Sequence, residues 1–375
     1  TRRVKETIGD IDILVTSKSP AKVIDFFTKM PSVQAVLAKG STKSSIRIKE
    51  GIQVDLRVIA DKIFGAGLLY FTGNQQHNIT LRKIAISKGM KLSEYGLFNS
   101  KTNKRIAGKT EEEIYKKLNL PFVPAEMREN TGELDLKQSP SPIEYGSLRG
   151  DLHMHTTWSD GGMSPQAMIE AARKLGYEYV AITDHSKSEV QANGLDETRL
   201  MKYIAEIRKL QKQYTDIKIF VGSEVDILSD GSLDYNNKLL AQLDIVVASI
   251  HNGFKMEPKR MTERILKAMS NEHVTIFGHP TARLINQRPG IEFEVDTVFK
   301  TAKNNGILLE INANPPRLDL PDTLVRRAKD LGCRMIIDTD AHHVDQLRYA
   351  ELGIATARRG WAEARDIANT LPLKK

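Results

Sequence analysis

Past residue 148 the chain settles into one repeated pattern, a short apolar run followed by a capped helical stretch. The apolar runs fall at residues 179–183, 217–221, 245–248, 274–277, 306–311 and 335–338. Strands separated by helices cannot pair as hairpins, so they pair in parallel through crossover helices. Roughly seven such units in the second half predict a parallel barrel of TIM type, in which the chemistry gathers at the C-terminal ends of the strands.

The polar residues that follow those runs are not random. The chain has nine histidines, and most of them stand where a strand is expected to end. His153 and His155 lie two apart on one expected strand face, and Asp160 follows in the loop. His185 comes after AITD, Glu224 after FVGS, His251 after VVASI, His279 after TIFG, and Asp340 with His342 after MIIDT. A barrel brings those junctions to one mouth. Imidazoles and carboxylates form the ligand set of zinc, manganese or iron, and nine such groups exceed the needs of one ion. Two or three ions are expected, an arrangement suited to phosphoester hydrolysis. His77, His273 and His343 lack the strand-end context and read as structural.

The first half differs in charge. Residues 1–120 hold 22 Lys and Arg against 11 Asp and Glu, a balance of 22 − 11 = +11; the remaining 33 basic and 36 acidic residues give −3. A basic front attracts polyphosphate backbones, although lysines on solvated helix faces produce the same number. A length of 375 residues implies more than one domain. No run approaches the ~18 apolar residues of a membrane span, and no signal peptide is legible. The single cysteine, Cys333, cannot form an internal disulfide, so a cytoplasmic location is expected.

Residues 8–16 read as a strand, and Ser19-Pro20 caps a helix running to about residue 30. Residues 44–49 and 53–59 form a hairpin about Glu50-Gly51. Signals from 73 to 118 are mostly helical, with Thr110 and Glu113 at capping-box spacing. Residues 123–147, with Pro124, Pro140 and Pro142, read as the interdomain linker. Asp10 and Asp12 share one face of the first strand, and Asp55 lies on the second strand of the hairpin, so the three carboxylates converge. Such a set suits two magnesium ions in phosphoryl transfer; D-x-D alone equally suits an ordinary exposed strand face.

Two resemblances attach to these segments. DLHMHTTWSDG, TDHS, GSEVDI, SIHNGF, GHP and DTDAHH resemble the PHP (polymerase and histidinol phosphatase) domain across residues 148–375. That implies a distorted (β/α)7 TIM-like barrel with a trinuclear site, manganese or zinc, held by His153, His155, Asp160, His185, Glu224, His251, His279, Asp340 and His342. Residues 70–98, YFTGNQQHNITLRKIAISKGMKLSEYGLF, are similar to the palm-to-thumb passage of family X DNA polymerases. That implies a nucleotidyltransferase-type palm, a mixed sheet with helices, at 1–70 and a small α+β thumb at 71–122, an α/β multidomain protein in all. It implies Asp10, Asp12 and Asp55 as catalytic ligands of two magnesium ions. Tyr70, Phe71 and Gly73 would lie against the sugar of the incoming dNTP, Asn78 at the minor-groove edge of the base, and Arg82 on the template side.

A family X palm joined to a PHP domain resembles the bacterial and archaeal PolX proteins. The implied activities are DNA synthesis on gapped or 3′-ended primer-template, as in base excision repair, and a manganese-dependent 3′–5′ exonuclease. Such proteins carry an N-terminal DNA-binding domain, a fingers segment and a Gly-Ser turn ahead of the point matching Arg2-Arg3. The chain begins at Thr1, so it is expected to be a fragment of a longer protein. Two further readings stand beside this one: a small-molecule phosphatase of the histidinol-phosphate kind, and a DNA-binding scaffold with an inactive palm. Oligomeric state is not legible.

Overall fold

The computed structural model describes residues 1–373, which form two compact units, Thr1–Ser141 and 142–373. The first unit starts with four strands: β1 (Asp10–Thr16), β2 (Val33–Lys39), β3 (Lys43–Ile48) and β4 (Gln53–Ile59). Their order is β1-β4-β3-β2, with β1 parallel to β4 and the other pairs antiparallel. The expected hairpin is therefore present, turning through Gly51 at φ 83°, a left-handed conformation that glycine adopts without steric cost. β2 escapes sequence reading because it is an edge strand whose residues are nearly all exposed, leaving no alternation to detect.

Alternation on β4 decides where the acidic face lies. Val54, Leu56 and Val58 are buried with Ile24 and Phe27 of the helix Pro20–Thr28, while Gln53, Asp55 and Arg57 alternate to the other side. Ser19 stands at the start of that helix but makes no side-chain cap bond; its backbone carbonyl accepts from Lys22 and Val23 instead.

Helices Phe64–Thr72 and Gln75–Ser87 follow. The stretch expected to be mostly helical then contains a three-stranded antiparallel sheet, β5 (Met90–Ser93), β6 (Gly96–Asn99) and β7 (Arg105–Ala107), before the helix Glu111–Lys117. These strands are too short to show a period of two. Thr110 does cap its helix, accepting from the Glu113 N–H at 3.2 Å.

Residues 123–135 pack into the first unit. The fully buried Arg128 pairs with Glu111 at 2.5 Å and donates to the Val123 carbonyl at 2.9 Å. Glu133 meets His77 Nδ1 at 2.6 Å, and His77 Nε2 meets the Tyr115 hydroxyl at 2.9 Å. His77 is thus a satisfied core residue.

The second unit is a seven-stranded parallel sheet: β8 (Gly150–Asp151), β9 (Tyr179–Ile182), β10 (Lys218–Asp226), β11 (Ile245–Ser249), β12 (Ile276–Phe277), β13 (Leu308–Asn312) and β14 (Met335–Asp338), in sequential order. A parallel bridge from Met154 to Ala341, with the His155 N–H donating to the Ala341 carbonyl at 2.8 Å, brings the two edges together. The sheet is a nearly closed barrel. Val180, Ile182, Val246 and Ala248 pack with the surrounding helices, whereas Tyr179, Ala181, Ile245, Val247, Ile276 and Ile336 form a separate cluster that fills the interior. Ser164, Asp196 and Glu257 cap the helices that return from the mouth, and Pro165 and Pro258 occupy first helical positions. Among the described residues no helix is long and apolar enough to cross a membrane.

Two boundaries differ from expectation in ways that matter. β10 continues to Asp226, so Glu224 and Asp226 share one face of a strand. β8 ends at Asp151, so His153 and His155 lie beyond the ladder in an extended segment. Gly278, at the end of β12, packs hard against β11: a Cβ there would stand 2.4 Å from Ser249 Oγ and 2.7 Å from Val247 Cγ1. Gly278→Ala is expected to destabilise the protein by about 1–3 kcal/mol. Urea unfolding followed by circular dichroism measures this, and an unchanged midpoint would show that the seam between β11 and β12 yields.

Candidate metal centre and the acidic face of the first unit

Glu224 sits at the mouth of the barrel with 1% exposure. Five imidazoles reach its carboxylate. His279 Nε2 lies 2.8 Å from Oε1 and His251 Nε2 3.2 Å from the same oxygen. His185 Nδ1 is 3.0 Å, His153 Nε2 3.4 Å and His155 Nε2 3.5 Å from Oε2. Asp340 approaches the same ring nitrogen of His155, its Oδ1 3.2 Å from Nε2. Asp160 closes the outer edge, 3.3 Å from His342 Nε2 and 3.7 Å from His185 Nε2. All nine sequence-predicted residues come together, although His153 and His155 reach the centre from beyond a strand rather than from within one.

Three groupings of these side chains have donor atoms close enough to share an ion: His155, Asp160, His185 and His342; His153, His155 and Glu224; and His185, Glu224 and His251. The donors fit that use. Ring nitrogens of His153, His155, His185, His251 and His279 are buried and without a hydrogen-bond partner. Six imidazoles packed against three carboxylates match the ligand chemistry of divalent transition metals.

Residues absent from the sequence reading support the ring nitrogens from behind. Glu310 Oε1 lies 2.6 Å from His153 Nδ1, and its Oε2 accepts from the His279 N–H at 2.6 Å. Asp226 Oδ1 lies 3.0 Å from His251 Nδ1. Such carboxylates fix the tautomer and orientation of a ligating histidine. Asp226 was within reach of sequence reasoning, being two residues past Glu224 on the same strand; Glu310 carried only the weaker signal of a lone carboxylate in an apolar run. His343 caps a short turn and His273 lies before β12, outside the cluster.

In the first unit Asp12 and Asp55 are direct neighbours in the parallel ladder. Asp55 accepts from Gln53 Nε2 at 3.1 Å and from the Ser45 hydroxyl. Burial, then the charges of Asp10 and Asp55, raise the Asp12 carboxyl above its ordinary range, which marks the three acids as mutually close. Asp10 and Asp12 border a cavity of about 460 Å³ lined also by Arg2, Arg3 and Phe71. Tyr70 and Phe71 pack edge to face at 4.9 Å, with Arg57 over Phe71 at 4.6 Å and Arg82 over Tyr70 at 5.3 Å. Asn78 Nδ2 donates to the Tyr70 carbonyl at 2.8 Å. Gly73 ends the helix at φ 72°.

Residues 67–129 match the DNA polymerase beta thumb family and residues 151–314 the PHP domain family. A DNA polymerase/3′-5′ exonuclease PolX from Bacillus subtilis is 40% identical over 376 residues, covering 100% of this chain and 66% of that protein. The chain belongs to the PolX family. A protein from a Thermoanaerobacter species, named a probable phosphatase, is 30% identical over 206 residues, covering 51% of this chain and 78% of that protein. A ternary-complex crystal structure of Leishmania infantum polymerase beta matches 34% of this chain and 64% of its own, at 24% identity and a TM-score of 0.30. The PolX chain described here thus spans 66% of the length of its Bacillus relative.

Without ions the cluster is strongly polarised. After the opposing effect of burial, Glu224 and its neighbours raise His251 to about 10, and Asp160 with Asp340 raises His342 to about 9. Burial, with His342 and His185 nearby, lowers His155 to about 3. A ligating imidazole must be neutral, so ions held by His251 and His342 near pH 7 would displace their protons. Apparent affinity therefore rises with pH until about 9–10. Calorimetric titration with manganese in buffers of different ionisation enthalpy is expected to register proton release; none would contradict this charge distribution.

Proposed function

We propose that this PolX chain carries two phosphate-transferring sites. In the barrel, His153, His155, Asp160, His185, Glu224, His251, His279, Asp340 and His342 hold up to three divalent ions, manganese or zinc, and the site removes nucleotides from DNA 3′ ends by phosphodiester hydrolysis. The convergence of five histidines on the buried Glu224 carries this reading, since buried ring nitrogens without partners are costly unless something occupies their lone pairs. Divalent ions supply hydroxide at neutral pH and offset phosphate charge. The protein's own part is to fix the ring orientations through Glu310 and Asp226.

In the first unit, Asp10, Asp12 and Asp55 hold two magnesium ions for transfer of a nucleotide from a dNTP to a primer 3′ hydroxyl. Tyr70, Phe71 and Gly73 face the sugar, Asn78 the base edge and Arg82 the template side. The excess of basic residues over 1–120 favours gapped or primed DNA as the partner through counterion release. The Tyr70 ring, held by Phe71 and Arg82, offers a flat apolar wall of the kind a nucleotide packs against. Synthesis and trimming at one class of DNA end fit repair.

A small-molecule phosphatase is the second reading, favoured by the phosphatase name of the Thermoanaerobacter relative, which matches only part of the chain. One paired experiment separates them. Glu224→Ala is expected to abolish nucleotide release from a 3′-tailed duplex in manganese while primer extension persists; Asp12→Ala is expected to do the reverse. Phosphate release from histidinol phosphate with no digestion of DNA would favour the phosphatase, and loss of both activities in either variant would contradict independent sites.

A further inference from the structure

The loop after β13 holds an arginine over the metal cluster. Asn312 and Asp319 pair across the loop's base, the Asp319 N–H donating to the Asn312 carbonyl at 3.1 Å. Within it, the N–H groups of Arg317 and Leu318 both donate to the Asn314 carbonyl, at 2.8 and 2.9 Å, and Pro315 and Pro316 stiffen the climb. The neighbouring loop, after β12, clamps the same segment. Ile285 N–H donates to the Pro316 carbonyl at 2.7 Å, and Arg283 donates Nε to the Arg317 carbonyl at 2.9 Å and a terminal nitrogen to the Leu318 carbonyl. Asp319 accepts from the Thr281 N–H at 3.0 Å. The backbone beneath Arg317 is therefore held from both sides.

The side chain projects to the cluster. Arg317 Nε lies 3.4 Å from Asp340 Oδ2, and the side chain is 19% exposed. Asp340 is shared with Asn312 Nδ2 at 3.2 Å. Among the described residues, the two terminal nitrogens of Arg317 make no hydrogen bond. A second guanidinium, Arg288, stacks on Phe254 at 3.7 Å and donates to the Ala282 carbonyl; burial and then the charge of Arg317 hold it below its usual range. Two cations at one side of an acidic, histidine-lined mouth repel each other, a cost that an anion between them would remove.

We infer that Arg317 binds a non-bridging oxygen of the phosphate on which the metal centre acts, with Arg283 as the positioning residue that braces it. The inference rests on the phosphoesterase reading of the barrel. A guanidinium with free terminal N–H groups, fixed beside a ligand carboxylate, matches phosphate geometry and requires no rearrangement when charge develops on the oxygen. Arg288, further out, suits the next phosphate of the strand.

Arg317→Ala, Arg317→Lys and the wild type, each loaded with manganese, test this by three readouts: metal content, binding of thymidine 5′-monophosphate by calorimetry, and kcat/KM for nucleotide release from a 3′-tailed duplex. Arg317→Ala is expected to keep its metal and melting temperature, bind the monophosphate about tenfold more weakly and lose about a hundredfold in kcat/KM. Arg317→Lys is expected to fall between, the charge kept and the fork lost. Unchanged monophosphate affinity in Arg317→Ala, metal loss in proportion to activity, or a wild type that binds no monophosphate would each overturn the inference. A wild type that releases nothing from DNA but binds the monophosphate through Arg317 would sink the exonuclease reading and leave this one standing.

Discussion

A carboxylate buried at the end of an apolar strand is unstable alone, because removing an ion from water costs several kcal/mol even after relaxation. Glu224 is such a group, and five imidazoles from the segments beyond β8, β9, β11 and β12 gather around it. Burial would raise its pKa, yet His251, His153 and His185 hold it well below the ordinary carboxylate range. The barrel exists, in physical terms, to deliver those partners: parallel strands end together, and one-sided delivery of polar groups follows from that.

The same geometry divides the histidines by charge. Against burial, the carboxylates facing His153, His251 and His342 raise them, while burial lowers His279 and, with His185 and His342 at ring separations of 4.3 Å, lowers His155. Rings held within one cluster therefore begin from different protonation states, and ions binding there would replace protons at some and find lone pairs ready at others. Glu310 and Asp226 keep the rings aimed throughout.

Much of this was legible in the amino-acid order, for specific reasons. A candidate ligand placed just after an apolar strand is visible because strand ends are visible, so His185, Glu224, His251, His279 and Asp340 stood out. The hairpin of β3 and β4 was legible from alternation about Glu50-Gly51, which also assigned Asp55 its face. What failed to show was set by contacts distant in sequence. β2 is an exposed edge, β5 to β7 are too short for a period, and the packing of residues 123–135 depends on Arg128 and Glu133 finding Glu111 and His77. Glu310 and Arg317 became visible only when the loops after β12 and β13 were seen side by side. Proline and serine in 123–147 suggested a tether, and composition alone could not reveal a buried arginine as its anchor.

The central claim is that Glu224 and the histidines around it form one multinuclear metal centre. Anomalous scattering at the manganese edge from crystals of the manganese-loaded protein tests it most directly. The account predicts two or three separate peaks at the barrel mouth, at least one within bonding distance of the Glu224 carboxylate. A mouth without peaks in ion-loaded crystals, or ions bound only away from Glu224, would contradict it.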